Sequence, residues 1–300
     1  MYNLIVPPKP VTGVYAAVCT PRDREGVLDP TALRRTLEFL MERGVRGFAL
    51  NGATGEYCLS TPGELACLLE VAAETIAGRA NFLCGVGAAG LDGVLRNGRV
   101  AAVAGAQAVL LPMPHFFPYD QDDLEAFCGE VADRLSIDIL LYNLPQFTTG
   151  LAIQTVCGLI ARCPRIRGIK DSSGSLDILR ELSVTRPEAC RLVGNDTALV
   201  QALQEGVCDG VVSGVAGALP ELILPLFQQG GPPDPEIASA LHQFIRQIDG
   251  LPVPWGLKWI AESRGMAPAR FNLPVSPRRA CEGKSLVQWF ETWRGTAPLT

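Results

Sequence analysis

The stretch from Asp138 to Gly174, "DILLYNLPQFTTGLAIQTVCGLIARCPRIRGIKDSSG", decides the fold. "DILLYN" (138–143) and "RGIK" (167–170) are short apolar runs of strand length, and "LAIQTVCGLIARC" (151–163) between them has helical spacing of its apolar residues. Two strands joined through a helix lie parallel, because the crossover returns the chain to the same direction. Lys170 ends the second run and is followed by Asp, two Ser and a Gly, so it stands where a strand meets a loop.

The same unit recurs in both directions from this stretch. Further strands are expected in "GVYAAV" (13–18), "GFALN" (47–51), "NFLCGV" (81–86), "AVLLP" (108–112), "RLVG" (191–194) and "DGVVSG" (209–214), which makes eight. Helical segments separate them, and "LPELILPLFQQG" (219–230) follows the last; several open on an Asp or Thr cap beside a Pro and several close on Gly. Eight such units predict an α/β protein built as a closed (β/α)8 TIM barrel, with an open doubly wound sheet as the alternative. After "QGGPPDPE" (229–236) the strands stop and helices are expected near 235–249, 254–264 and 284–294. The expected division is therefore a barrel over residues 1–228 and a C-terminal helical extension over 229–300.

Composition narrows the function classes. The 300 residues are 48% hydrophobic, enough for one large core. A net charge of −5 without runs of Lys or Arg argues against nucleic acid, which needs clustered cations. Ten scattered cysteines with no C-x-x-C pair, and only two histidines, suggest neither a disulfide framework nor a zinc site. The first twenty residues lack a basic start and a continuous apolar block, and no run reaches the length of a membrane span. A cytoplasmic protein without a membrane or nucleic-acid partner is expected.

In a barrel, reactive groups gather on the loops at the carboxyl ends of the strands. There the sequence places "NGATGE" (Asn51–Glu56), "YNLP" (Tyr142–Pro145), Lys170, "GND" (Gly194–Asp196) and Ser213 with Gly214. A lysine partly desolvated in a barrel mouth becomes a free amine able to attack a carbonyl and form a Schiff base; paired with Asp171, it would be an ordinary ion pair. Tyr142 is suited to shuttling protons, or is a core aromatic. The backbone N–H groups of "GATG", from Gly52, form either a nest for a carboxylate or a plain turn. Glu56 caps or holds that loop. Asp196 reads as a helix N-cap rather than a ligand, and "MPHFFPYD" with His115 as a lid or subunit contact.

The ordered set "GATGE", "YNLP", "GIKDSSG", "GND" and "DGVVSG" resembles the dihydrodipicolinate synthase / N-acetylneuraminate lyase superfamily of pyruvate-dependent aldolases, from about Gly13 through "LPVPWGLKW". The resemblance implies that Lys170 forms a Schiff base with pyruvate or a related 2-oxo acid and that Tyr142 is the proton shuttle. It implies that Ala53 and Thr54, beside Gly52, receive the pyruvate carboxylate; Asp196, Ser213 and Phe116 are further substrate-binding candidates by their place at the strand ends. It further implies a homotetramer and no metal or organic cofactor.

Departures from the family pattern bear on the substrate. Ala53 stands where the family usually carries a relay hydroxyl, and Phe116 where a tyrosine reaches into the neighbouring subunit's site. The synthases' arginine after Y-N-x-P is replaced by Gln146 and Phe147, the paired acids of the sialate lyases are absent, and Gly217 replaces a frequent asparagine. The expected activity is a carbon–carbon lyase cleaving or forming a bond of a 2-oxo acid, with pyruvate as product or donor. Dihydrodipicolinate synthesis, 2-oxo acid dehydration or deamination, and non-catalytic 2-oxo acid binding are the alternatives.

Overall fold

The computed structural model describes residues 11–228 and 232–299. Eight parallel strands form a closed barrel in sequence order: β1 (Gly13–Ala17), β2 (Gly47–Leu50), β3 (Asn81–Gly85), β4 (Ala108–Pro112), β5 (Ile139–Asn143), β6 (Ile166–Asp171), β7 (Cys190–Val193) and β8 (Gly210–Ser213). β8 pairs with β1 from Gly13↔Gly210 to Ala16↔Ser213, which closes the cylinder and removes the open-sheet alternative. All eight expected strands are present.

Helices α1 (Pro30–Glu42), α2 (Pro62–Ile76), α3 (Leu91–Val103), α4 (Gln121–Arg134), α5 (Ile153–Arg162), α6 (Asp177–Thr185) and α7 (Leu199–Glu205) connect the strands. Their starts follow local chemistry. Asp29 caps α1 by accepting the Ala32 N–H, and reciprocal capping boxes open α2 (Thr61 with Glu64) and α4 (Asp120 with Asp123). Gly206, at φ 66°, ends α7 in the left-handed region.

The expected helix over 219–230 is broken. A short 3-10 turn at Pro220–Leu222 and the four-residue α8 (Pro225–Gln228) replace it, because Pro225 has no N–H to give and its ring collides with the preceding turn. The extension contains α9 (Pro235–Ile248), α10 (Trp255–Ser263) and α11 (Pro277–Trp293). α11 starts well before the expected 284, since Ser276 caps it through the Arg279 N–H and Pro277 is suited to the first turn. The break at 229–231 and the opening residues 1–10 lie outside the described residues.

Side chains alternate between two cores. Tyr15, Ala49, Leu83, Leu110, Leu140 and Leu192 fill the barrel interior, whereas Phe48, Leu50, Val109, Leu141 and Ile169 face the helices. The ten cysteines are all free thiols. Among the described residues, no helix is long and apolar enough to cross a membrane, and no cluster of His, Cys, Asp or Glu could hold a metal ion.

Candidate active site

The register of β5 on β6 sets Tyr142 directly beside Lys170. Both continue the inward parity of Leu140, so both side chains enter the upper barrel, where they are 2% and 3% exposed. Lys170 Nζ donates to Tyr142 Oη at 2.7 Å. Burial lowers the Lys170 pKa from 10.5 to about 7, against a smaller upward pull from Asp196. Burial also raises Tyr142 to about 12, opposed by the Ser172 hydroxyl and the Ala53 backbone, so the phenol stays protonated at neutral pH.

Asp171 does not pair with Lys170. Adjacent strand residues point to opposite faces, and the Asp171 carboxylate accepts from Asn143 Nδ2 at 3.0 Å and from the Ser173 N–H at 2.8 Å. The lysine stem passes Gly194, where an added Cβ would lie 2.8 Å from Lys170 Cε and 2.1 Å from Ser172 Oγ. The glycine of "GND" is thus room for the lysine.

The loop after β2 is held by four side-chain bonds. Asn51 Nδ2 donates to the Gly85 carbonyl at 2.7 Å, Ser60 Oγ to Asn51 Oδ1 at 2.8 Å, and Thr20 Oγ1 to the Gly55 carbonyl at 2.6 Å. Glu56 accepts from Lys258 Nζ of α10 at 2.6 Å, with both side chains buried. Asn51 and Glu56 both have positive φ, 52° and 58°, which bends the loop back over the barrel. Ala53 and Thr54 line the cavity above Lys170, while Gly52 is buried within the turn. Position 53 presents a methyl group to the cavity.

Asp196 is not a helix cap. Asn195 takes that role through the Thr197 N–H at 3.1 Å, which frees Asp196 to turn toward the mouth. There its Oδ2 accepts the Val215 N–H at 3.1 Å, and its buried Oδ1 has no hydrogen-bond partner. Burial raises the carboxyl pKa, and Ser213, Val215 and Lys170 oppose that rise. Ser213 does not line the cavity; its Oγ accepts the Ala216 N–H at 2.9 Å behind Asp196. Phe116 is 88% exposed at φ 82° and stands outside this chain's own mouth, stacked edge-on with Phe117. At Gly217 an added Cβ would meet the Ala17 carbonyl at 2.2 Å, so this backbone has no space for a larger residue.

The cavity measures about 390 Å³, and its outer wall comes from the C-terminal helices: Ile245 and Ile248 of α9, Leu251 and Val253 beyond it, and Leu257 of α10. Sequence reasoning missed this wall. It also missed Lys258, whose partner lies 202 residues away, and the bond by which Gln146 Nε2 donates to the Ser172 carbonyl at 2.9 Å.

A buried amine with its pKa lowered to about 7, hydrogen-bonded to a protonated phenol at the carboxyl end of a closed (β/α)8 barrel, is the arrangement suited to carbon–carbon lyases that work through a Schiff base with a 2-oxo acid. Residues 10–291 match the model of the dihydrodipicolinate synthetase family, and the chain belongs to that family. It is 28% identical to a 4-hydroxy-tetrahydrodipicolinate synthase of Methylococcus capsulatus (strain Bath), over 89% of this chain and 93% of that protein. It is 26% identical to a probable 2-dehydro-3-deoxy-D-pentonate aldolase of Escherichia coli (strain K12), over 97% and 100%. In shape it resembles the crystal structure of dihydrodipicolinate synthase from Aquifex aeolicus, with a TM-score of 0.86 and 23% identity over 97% of this chain and 100% of that one.

Proposed function

We propose that the protein is a pyruvate-linked aldolase that cleaves a 4-hydroxy-2-oxo acid, with Lys170 as the nucleophile. The observation that carries this reading is the buried Lys170–Tyr142 pair, in which the amine is held near neutrality and 2.7 Å from a phenol. The free amine adds to the C2 carbonyl, and Tyr142 gives its phenolic proton to the carbinolamine hydroxyl, which departs as water and leaves Tyr142 as a phenolate. The resulting iminium accepts the electron pair of the C3–C4 bond as the 4-hydroxyl gives its proton to Tyr142 and the aldehyde departs. Protonation of the enamine and hydrolysis release pyruvate and restore the amine.

The substrate carboxylate is assigned to the Thr54 hydroxyl and the backbone N–H groups of Ala53 and Thr54, in the turn that Gly52 opens. Asp196, with one oxygen unpartnered, is assigned to a substrate hydroxyl, and Ser213 acts through it. Phe116 is assigned to contact with a second copy of the chain in a homotetramer; its exposure and positive φ support that reading. Catalysis is assigned to the barrel of the proposed division at 1–228, with Ile245, Ile248, Leu251, Val253 and Leu257 of the extension, 229–300, walling the mouth. A cytoplasmic location accords with the free cysteines. No cofactor enters these steps.

Cleavage is favoured over dihydrodipicolinate synthesis because the loop after Tyr142 offers no cation for an acceptor carboxylate, and Gln146 spends its amide on Ser172. Borohydride reduction in the presence of pyruvate tests the mechanism. A lactyl adduct on Lys170 in the peptide mass spectrum is expected; its absence, with a known family member trapped in parallel, rejects the proposal.

A further inference from the structure

Resting on the Schiff-base reading above, we infer that the aldehyde half of the substrate is uncharged and ends in an apolar group, an alkyl or aryl-alkyl aldehyde rather than a carboxylated one. The juxtaposition that assigns it is an aliphatic wall facing Lys170. Leu144, just after β5, and Ile245, Ile248, Leu251, Val253 and Leu257 from the extension line the same cavity as Lys170, beside the polar Thr54, Ser172, Asn195 and Asp196. A second cavity of about 510 Å³ shares Ala53, Phe147 and Val253 with the first and continues the apolar lining through Tyr57, Leu59, Trp255 and Leu273.

Charge points the same way. Among the described residues, Lys170 is the one cationic side chain lining the cavity, and it is consumed by the covalent bond. Besides the protonated Tyr142, the ionisable groups that remain are the acids Asp196 and Asp249. A second carboxylate on the substrate would face two acids with no arginine or lysine to receive it, in a site where burial strengthens repulsion. An alkyl tail loses nothing by entering the wall and gains with each carbon buried.

The test runs the reaction in the direction of synthesis. The enamine carbon of Lys170-bound pyruvate attacks the aldehyde carbon, the new C–C bond forms, and the aldehyde oxygen takes a proton through Tyr142 to become the 4-hydroxyl. Water then hydrolyses the iminium, releasing the 4-hydroxy-2-oxo acid and the free amine. With pyruvate fixed, butanal, pentanal, hexanal and 3-phenylpropanal are compared with succinic semialdehyde by kcat/KM. About a fourfold rise per added methylene is expected along the alkyl series, with hexanal at least tenfold above succinic semialdehyde. Equal or better use of succinic semialdehyde, or no condensation with any apolar aldehyde, overturns the inference. Borohydride trapping with pyruvate alone is measured on the same preparation. Trapping without the apolar preference sinks only the substrate class, whereas no trapping sinks the Schiff-base reading and this inference with it.

Discussion

Replacing Lys170 with methionine should make the protein more stable while abolishing Schiff-base formation. Lowering the Lys170 pKa from 10.5 to about 7 by burial means that the folded state holds the charged ammonium at a cost. At about 1.4 kcal/mol per pH unit, that difference corresponds to roughly 4–5 kcal/mol at neutral pH. Methionine has a similar length, fits beside Gly194 and carries no charge to desolvate. It removes the donor that Tyr142 Oη accepts, which returns about 1 kcal/mol. A net gain of about 3–4 kcal/mol at pH 7 follows.

The sign with pH is fixed by the protons bound. Between about 7 and 10.5 the unfolded chain keeps the Lys170 proton and the folded one has lost it, so wild-type stability relative to the variant rises with pH across that window. Below 7 both states hold the proton, and the penalty levels off at its largest value. Urea denaturation of both proteins at several pH values, from about 6 to about 10, measures this directly. The advantage of Lys170→Met should be largest at the acid end and shrink toward the alkaline end. A variant no more stable than wild type at neutral pH, or an advantage independent of pH, refutes the reasoning.

Other perturbations read the remaining parts of the site. Tyr142→Phe should still allow pyruvate to be trapped on Lys170 but slow aldol cleavage by about 10²-fold or more in steady-state assays, as loss of a general acid-base group does. Gly194→Ala puts a Cβ 2.8 Å from Lys170 Cε, and stopped-flow Schiff-base formation should slow by about 10²-fold as the amine is displaced. Lys258→Met strands the buried Glu56 carboxylate, so a loss of about 3–5 kcal/mol is expected in denaturation. That variant should also raise KM for pyruvate, and adding Glu56→Gln should restore much of the stability.

The barrel was legible because its strands are short apolar runs separated by capped helices, a pattern local enough to read one unit at a time. Lys170 and Tyr142 were legible for the same reason, since each ends a run and the parity of the strand then decides that it points inward. What escaped depends on contacts between distant segments. Nothing near Glu56 announces Lys258, because the two meet only when α10 packs against the mouth. Asp196 looked like a cap because an acid at the start of a helical turn usually is one; Asn195, one residue earlier, took the turn's N–H instead. The aliphatic wall was hidden because α9 is amphipathic, and its spacing does not reveal that part of its apolar side faces a cavity. Pro225 was visible, yet its breaking effect was given too little weight beside the apolar residues around it.

The central claim is that burial alone keeps the Lys170 amine free at neutral pH. The rate of Schiff-base formation with pyruvate, followed in single turnovers from about pH 5.5 to about pH 10, tests it. The account predicts a rate that climbs about tenfold per pH unit in acid, bends near 7 and is flat above it. A rate that keeps climbing through pH 9, as for an ordinary solvated lysine, would contradict it.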